Sequence, residues 1–124
     1  MRILLVDDEP DLRQIAQLAL EAVGGHAVIA TGSATEALAI AAREPIDAIV
    51  MDVMMPGLDG PATVRALAQS AITRAIPVIF VTAKQQRTEI EGYRKLGVAG
   101  VIGKPFDPMT LSSEIERLLA ARHG

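Results

Sequence analysis

The sequence contains no cysteine and no tryptophan, and only one tyrosine and two phenylalanines occur among its 124 residues. Without cysteine there are no disulfide bonds, thiolate metal sites or cysteine nucleophiles. Because aromatic side chains are so few, the core must be built from alanine, valine, isoleucine, leucine and methionine. A core of this composition suits closely packed helices.

Long apolar runs and clusters of charge of one sign are also absent. No run approaches the ~18 apolar residues of a membrane span, and the opening stretch MRILLVDDEP reaches its acids too early for a signal peptide. The formal net charge is −3 and the basic residues are scattered, which disfavours nucleic acid or an anionic membrane as a partner. We therefore expect a soluble, cytoplasmic protein that forms one domain over residues 1–124.

Short apolar runs alternate with helix-like segments five times along the chain, and this alternation predicts repeated βα units around a parallel sheet. The central runs are almost continuously apolar, as expected where helices cover both faces of the sheet. The predicted class is therefore α/β. The predicted strands are Arg2–Asp7, His26–Ala30, Ile46–Asp52, Pro77–Thr82 and Gly100–Gly103.

Capping residues and apolar periodicity place five helices between and after these strands. The second helix begins at Ser33, where Glu36 completes a capping box. The third opens at Gly60–Pro61, the fourth runs from about Gln85 to Leu96, and the fifth follows Asp107–Pro108. The first helix closes at Gly24–Gly25 and is predicted to bury one face, formed by Leu12, Ile15, Ala16, Ala19, Ala22 and Val23.

Polar residues stand at the carboxyl ends of the predicted strands, where parallel α/β sheets bind their ligands. The first strand ends in Asp7 and Asp8, and the third ends in Asp52, although aspartate is disfavoured in strands. The fourth ends in Thr82, and the fifth runs into Lys104. Three acids, a hydroxyl and an ammonium group are therefore expected to share one edge of the sheet.

Taken singly, each of these residues has an ordinary explanation, such as helix capping by Thr82 with Gln85 or a solvated Lys104. Together the acids create an electrostatic conflict, because two carboxylates ~4 Å apart repel by roughly 4 kcal/mol at an effective dielectric constant near 20. A cation relieves that repulsion, and an oxygen-rich site favours Mg²⁺. Lys104 and Thr82 suit phosphate oxygens, so the set indicates phosphoryl transfer.

Four short motifs give a more specific indication: VDDE at Val6–Glu9, DVMMPGLDG at Asp52–Gly60, VTA at Val81–Ala83 and KPF at Lys104–Phe106. In this order and spacing, the sequence resembles the receiver domain of two-component response regulators over essentially its whole length. The resemblance implies a flavodoxin-like, doubly wound fold with strand order 2-1-3-4-5. It also implies a cis peptide bond between Lys104 and Pro105.

The resemblance also implies a role for each residue at the sheet edge. Asp52 would accept a phosphoryl group from a sensor histidine kinase or a histidine phosphotransfer protein, and the product would signal through a contact with a downstream protein. The chain would catalyse its own phosphorylation and slow dephosphorylation. Thr82 and Lys104 would contact the phosphoryl group. Mg²⁺ or Mn²⁺ would be bound directly by Asp8, Asp52 and the backbone carbonyl of Met54, while Asp7 would act mainly through a metal-bound water.

One position departs from the family pattern. Receivers often have a tyrosine or phenylalanine three residues before the lysine, and this chain has Val101 there. An aromatic rotamer switch is therefore not available at that position, and we expect the signal to travel through Thr82, its loop and the fourth helix. Met54 and Lys84 flank the site, and our hypothesis is that they tune dephosphorylation.

Other functions fit the sequence less well. A phosphatase of the haloacid dehalogenase type needs a second aspartate two residues after its nucleophile, and Met54 occupies that position. Neither common glycine-rich nucleotide motif occurs. The alternative that stays open is a receiver-like protein-binding module that is not phosphorylated, although a docking scaffold has no need to concentrate repelling carboxylates.

Overall fold

A five-stranded parallel sheet forms the centre of the protein in the computed structural model, which describes residues 1–83 and 86–123. The strand order is β2-β1-β3-β4-β5, and every neighbouring pair is parallel, which confirms the predicted topology. Each predicted strand is present, with its ends displaced by at most two residues. The strands are β1 Arg2–Val6, β2 Ala27–Thr31, β3 Ala48–Asp52, β4 Val78–Thr82 and β5 Gly100–Gly103.

Five α-helices connect and follow the strands, as predicted. They are α1 Pro10–Leu18, α2 Ala34–Arg43, α3 Gly60–Ala68, α4 Arg87–Lys95 and α5 Leu111–His123. The predicted start of the fourth helix at Gln85 lies outside the described residues. Within the part of the chain that is described, no helix has both the length and the apolar character needed to cross a membrane.

The sheet separates two apolar layers because side chains alternate between its faces along each strand. One layer contains Val50 and Val81 from the strands and packs against α1 and α5. The other contains Met51 and Phe80 and packs against α2, α3 and α4. All five residues of β3 and all five of β4 are buried, so these two strands form the centre of the core.

The predicted apolar face of the first helix is partly wrong. Ala16 and Ala19 are buried as expected, but Ile15 and Ala22 are exposed and Val23 is 48% exposed. Leu20, absent from the prediction, is fully buried instead. The helix ends in a π-helical turn over Ala19–Val23, and its wider hydrogen-bonded ring rotates the last residues away from the expected stripe.

Two further details of the helix starts differ from the sequence analysis. The Ser33 hydroxyl accepts the N–H of Glu36 at 3.2 Å as predicted, but the N–H of Ser33 donates to the Thr31 hydroxyl instead of to a glutamate. The last helix begins at Leu111, later than Pro108. The carboxylate of Asp107 accepts the N–H of Met109, and this hydrogen bond stabilises a turn that precedes the helix.

Candidate functional site

Three aspartates meet at the carboxyl edge of the sheet. Because β1 and β3 pair in the register Val6 to Met51, the next residue of each strand brings Asp7 beside Asp52. Asp7 and Asp52 are buried and Asp8 is half-buried. One carboxylate oxygen from each lies within 4.8 Å of the other two. The structure thus brings together all three acids predicted from the sequence.

Lys104 enters this acidic cluster from the end of β5. Its Nζ donates a hydrogen bond to Asp52 Oδ2 at 2.9 Å and lies 3.7 Å from Asp7 Oδ2 and 3.8 Å from Glu9 Oε1. The peptide bond between Lys104 and Pro105 is cis, as the resemblance implied. The backbone N–H of Lys104 donates to the carbonyl of Thr82, which fixes the start of the loop.

Burial and neighbouring charges both shift the pKa values of Asp7 and Lys104. Burial raises the pKa of Asp7. The hydrogen bond from the N–H of Glu9 and the charge of Lys104 lower this pKa, but they only partly offset the effect of burial. The charges of Asp52 and Glu9 raise the pKa further. Burial lowers the pKa of Lys104, but the hydrogen bond with Asp52 and the neighbouring carboxylates outweigh it and leave the pKa raised. The site is therefore a carboxylate-rich pocket with one firmly charged ammonium group.

The loop after β3 shapes the mouth of the pocket. The N–H of Met54 donates to Asp52 Oδ1 at 3.1 Å, while the Met54 side chain is 57% exposed. Gly57 has a φ of 78°, which a side chain would disfavour. A Cβ on Gly60 would lie 3.0 Å from the Cα of Val53, so close backbone packing requires glycine there.

Thr82 ends β4 and is fully buried. Its partner on β5 in the strand register is Gly103, and the half-buried Val101 lies opposite Phe80. Thr82 is therefore at the predicted edge of the sheet, and the residue three positions before Lys104 contributes no ring.

Three contacts of the site were missed by the sequence analysis. Arg13 Nη1 donates to the carbonyl of Asp7 at 2.7 Å, and Glu9 joins the carboxylates around Lys104. The ring of Tyr93 on α4 packs edge-on against Phe80, two residues before Thr82 on β4. Glu9 could have been found in the VDDE motif, whereas nothing in the local sequence indicates the long-range Tyr93 contact. Lys84, proposed to flank the site, lies outside the described residues.

Replacing Asp7 with asparagine is expected to stabilise the protein in the absence of divalent cations. The side-chain shape is kept while a charge whose pKa is raised by burial is removed. The thermal midpoint in EDTA, followed by circular dichroism, should rise by a few degrees, since 1 kcal/mol corresponds to about 4 °C for a domain of this size.

The size of this stabilisation depends on pH. When folding raises the pKa of a carboxyl group, ionisation of that group destabilises the folded state at pH values above the raised pKa. This destabilisation disappears as the pH falls toward the ordinary pKa of 3.8. The gain from the Asp7 substitution should therefore be complete at neutral pH and shrink in acid. Asp11→Asn, at an exposed position of α1, is the control and should change stability by less than about 0.5 kcal/mol. A lower midpoint for the Asp7 variant than for this control would contradict the prediction.

The doubly wound sheet and the acid and lysine cluster at its carboxyl edge define a class of small α/β protein, and comparison with known proteins identifies the family. The family model of the response regulator receiver domain matches residues 3–116 of the chain. The chain belongs to this family. It is 39% identical over 119 residues to the protein PilH of Pseudomonas aeruginosa, covering 96% of this chain and 98% of PilH.

Solved structures agree with this assignment. The chemotaxis response regulator CheY4 of Vibrio cholerae superposes with a TM-score of 0.87 at 29% identity, over 94% of this chain and 97% of CheY4. The receiver domain of the sensor histidine kinase PA1611 of Pseudomonas aeruginosa, which has a magnesium ion coordinated in its active site cleft, gives 0.84 at 28% identity, over 96% and 97% of the two chains. The chain spans about half the length of several other relatives.

Proposed function

We propose that this receiver domain is a phosphoacceptor. Asp52 takes a phosphoryl group from the phosphohistidine of a sensor histidine kinase or a histidine phosphotransfer protein, and the phosphorylated chain signals through a contact with a downstream protein. The observation that carries the proposal is the 2.9 Å hydrogen bond from Lys104 to Asp52 inside a cluster of three carboxylates. Such a concentration of charge serves phosphoryl chemistry better than it serves passive docking.

The roles of the residues follow from their positions. An oxygen of the Asp52 carboxylate attacks phosphorus as the bond from phosphorus to the histidine nitrogen breaks, which leaves an acyl phosphate on Asp52 and a free imidazole. Lys104 neutralises the incoming negative charge. Thr82 donates its hydroxyl hydrogen to a phosphoryl oxygen. The N–H of Met54 keeps Asp52 oriented through Oδ1.

The acidic cluster also fits a divalent metal ion. Its three carboxylate oxygens lie within 4.8 Å of one another, and oxygen ligands are what Mg²⁺ or Mn²⁺ requires. Asp7, Asp8, Asp52 and the backbone carbonyl of Met54 would hold it. When bound, such an ion neutralises charge between the carboxylates and the phosphoryl oxygens.

Several finer expectations belong to the same proposal. We take residues 1–124 as one domain, placed in the cytoplasm, with self-phosphorylation and slow dephosphorylation as its only chemistry. An apolar cleft of about 360 Å³ beside Lys104, lined in part by Ile15 and Phe106, offers a face for the phosphodonor. The exposed side chain of Met54 stands where it could restrict an attacking water during dephosphorylation.

The proposal is tested by incubating the protein with acetyl phosphate and Mg²⁺ and measuring its intact mass. We expect the gain of one phosphoryl group with Mg²⁺ and no gain in EDTA, because the acids repel the donor when no cation is bound. A folded protein that gains no mass at any Mg²⁺ concentration would favour the protein-binding module that is not phosphorylated.

A further inference from the structure

Arg13 on α1 reaches back to the end of β1. Its Nη1 donates a hydrogen bond to the backbone carbonyl of Asp7 at 2.7 Å, and the arginine side chain is half-buried. The backbone N–H of Arg13 donates to the carbonyl of Glu9 at 2.9 Å, so the residue also belongs to the first turn of the helix. The guanidinium group thus joins α1 to the first residue of the acidic cluster.

Gly32 leaves the space that this arginine occupies. β1 and β2 pair side by side up to the register Val6 to Thr31. The next residues, Asp7 and Gly32, are therefore neighbours at the edge of the sheet. A Cβ on Gly32 would lie 2.7 Å from Nη1 of Arg13, closer than a carbon and a nitrogen atom normally approach. A side chain at position 32 would therefore displace the guanidinium group from its hydrogen bond.

Two hydrogen bonds restrain the backbone on either side of Asp8. On its amino-terminal side, the carbonyl of Asp7 accepts the hydrogen bond from Arg13. On its carboxyl-terminal side, the N–H of Glu9 donates to Asp7 Oδ1 at 2.9 Å. Because peptide units are planar, these two bonds orient both peptide planes that meet at the Cα of Asp8. The direction in which the Asp8 side chain leaves the backbone follows from these two planes.

The direction of the Asp8 side chain matters for a bound metal ion. One of its carboxylate oxygens lies within 4.8 Å of an oxygen of Asp7 and of an oxygen of Asp52. Asp8 is the least buried of the three, so mutual repulsion would otherwise push its carboxylate toward solvent. The restraint on its backbone opposes this movement and keeps the spacing of the cluster before an ion binds.

We propose that Arg13 is a positioning residue for the divalent metal site, and that it preorganises Asp8 through the carbonyl of Asp7. This role requires no contact between Arg13 and the ion or the phosphoryl group. Gly32 contributes by admitting the guanidinium group. The inference rests on the proposed phosphoacceptor function, because the metal site belongs to that function.

The sign of the effect on Mg²⁺ affinity separates positioning from an effect of charge alone. A guanidinium group near the acids repels a divalent cation, so removing its charge would tighten Mg²⁺ binding if charge alone mattered. If Arg13 positions a ligand, its removal weakens Mg²⁺ binding, and displacing it without loss of its charge does so as well. The two hypotheses predict opposite changes in one measured affinity.

The first experiment measures the dissociation constant of Mg²⁺ for the full chain without a phosphodonor, by following backbone amide shifts in nitrogen-15 NMR spectra. Arg13→Met keeps an unbranched side chain and removes the hydrogen-bond donors, whereas Gly32→Ala keeps the arginine and displaces its guanidinium group. Each variant should bind Mg²⁺ about tenfold more weakly than the wild type, the lower end of the range for groups that orient metal ligands.

Two further variants make this measurement specific. The double variant of Arg13→Met and Gly32→Ala should bind no more weakly than the weaker single variant, because both changes break the same hydrogen bond. Arg43→Met removes an arginine from an exposed position in the last turn of α2 and should bind Mg²⁺ as the wild type does. Weaker binding by this control would mean that the loss of any arginine has the same effect, which would contradict the proposal.

The second experiment measures amide hydrogen exchange in EDTA, where no divalent ion is bound. Exchange of the Glu9 N–H should accelerate in Arg13→Met and in Gly32→Ala, because the peptide planes beside Asp8 lose a restraint. Amides of the buried strand β3 should exchange as in the wild type. Equal acceleration in β3 would mean that the arginine only stabilises the fold, and the positioning role would be wrong.

The outcomes separate this inference from the proposed function. If the wild type binds Mg²⁺ and gains mass from acetyl phosphate, while both single variants bind Mg²⁺ at least as tightly, the positioning role is wrong and the phosphoacceptor function stands. If the positioning role is right, both variants still gain a phosphoryl group at saturating Mg²⁺. If the wild type neither binds Mg²⁺ nor gains mass, both proposals are overturned.

Discussion

Asp52→Asn is expected to gain no phosphoryl group from acetyl phosphate and Mg²⁺ under conditions that modify the wild type. An amide is a poor nucleophile, and the substitution also removes the charge that pairs with Lys104 at 2.9 Å. The loss should exceed about 100-fold, because removing a group that forms a covalent intermediate usually has a far larger effect. Intact mass measured over a time course is the readout.

A matched control keeps this result specific to the site. Asp47→Asn makes the same chemical change just before the amino end of β3, where Asp47 accepts the N–H of Arg2 at 2.7 Å. This variant should gain mass as the wild type does. Full incorporation by Asp52→Asn would mean that another residue is the acceptor, and peptide mapping would then identify it.

Phe80→Ala is expected to lower the free energy of unfolding by about 3–5 kcal/mol, the usual range for deleting a buried ring. Phe80 is fully buried on the central strand β4, and its ring contacts Tyr93 and approaches Gly60. Since small domains are stable by only about 5–15 kcal/mol, the variant should lose a large part of its stability. Urea denaturation followed by circular dichroism measures the change.

Phe106→Ala is the control for this prediction, because it deletes the same ring from a half-buried position beside the apolar cleft. Its effect should be less than half as large. Equal losses for the two variants would mean that burial does not determine the contribution of the ring.

Much of the fold and the site could be predicted from the sequence because the signals are local. The segments that form β3 and β4 are continuous apolar runs. Asp52 ends one of these runs, and a charged residue at the end of a buried strand is unusual enough to be recognised from the sequence. The convergence of Asp7, Asp52 and Lys104 follows from the parallel arrangement of the strands. The strand order itself came from the family resemblance, not from the periodicity.

What could not be predicted depends on geometry that develops only in the folded chain. The π-helical turn at Ala19–Val23 changes the helical period, so a stripe drawn at 3.6 residues per turn buries Val23 and misses Leu20. The contact between the rings of Tyr93 and Phe80 joins residues on separate elements, and its formation depends on how α4 packs over the sheet. Propensities and motifs carry no information about that placement.

The alternation of side chains between the two faces of the sheet bears on where two partner proteins would bind. Asp52 continues the side of β3 that carries Val50 toward α1 and α5, whereas Thr82 continues the opposite side of β4, with Phe80. Asp52 and Thr82 therefore reach the carboxyl edge of the sheet from opposite faces, and they come together only at that edge. A donor protein resting against α1 and a target reading α4 would occupy different flanks, so release of the first is not a precondition for arrival of the second.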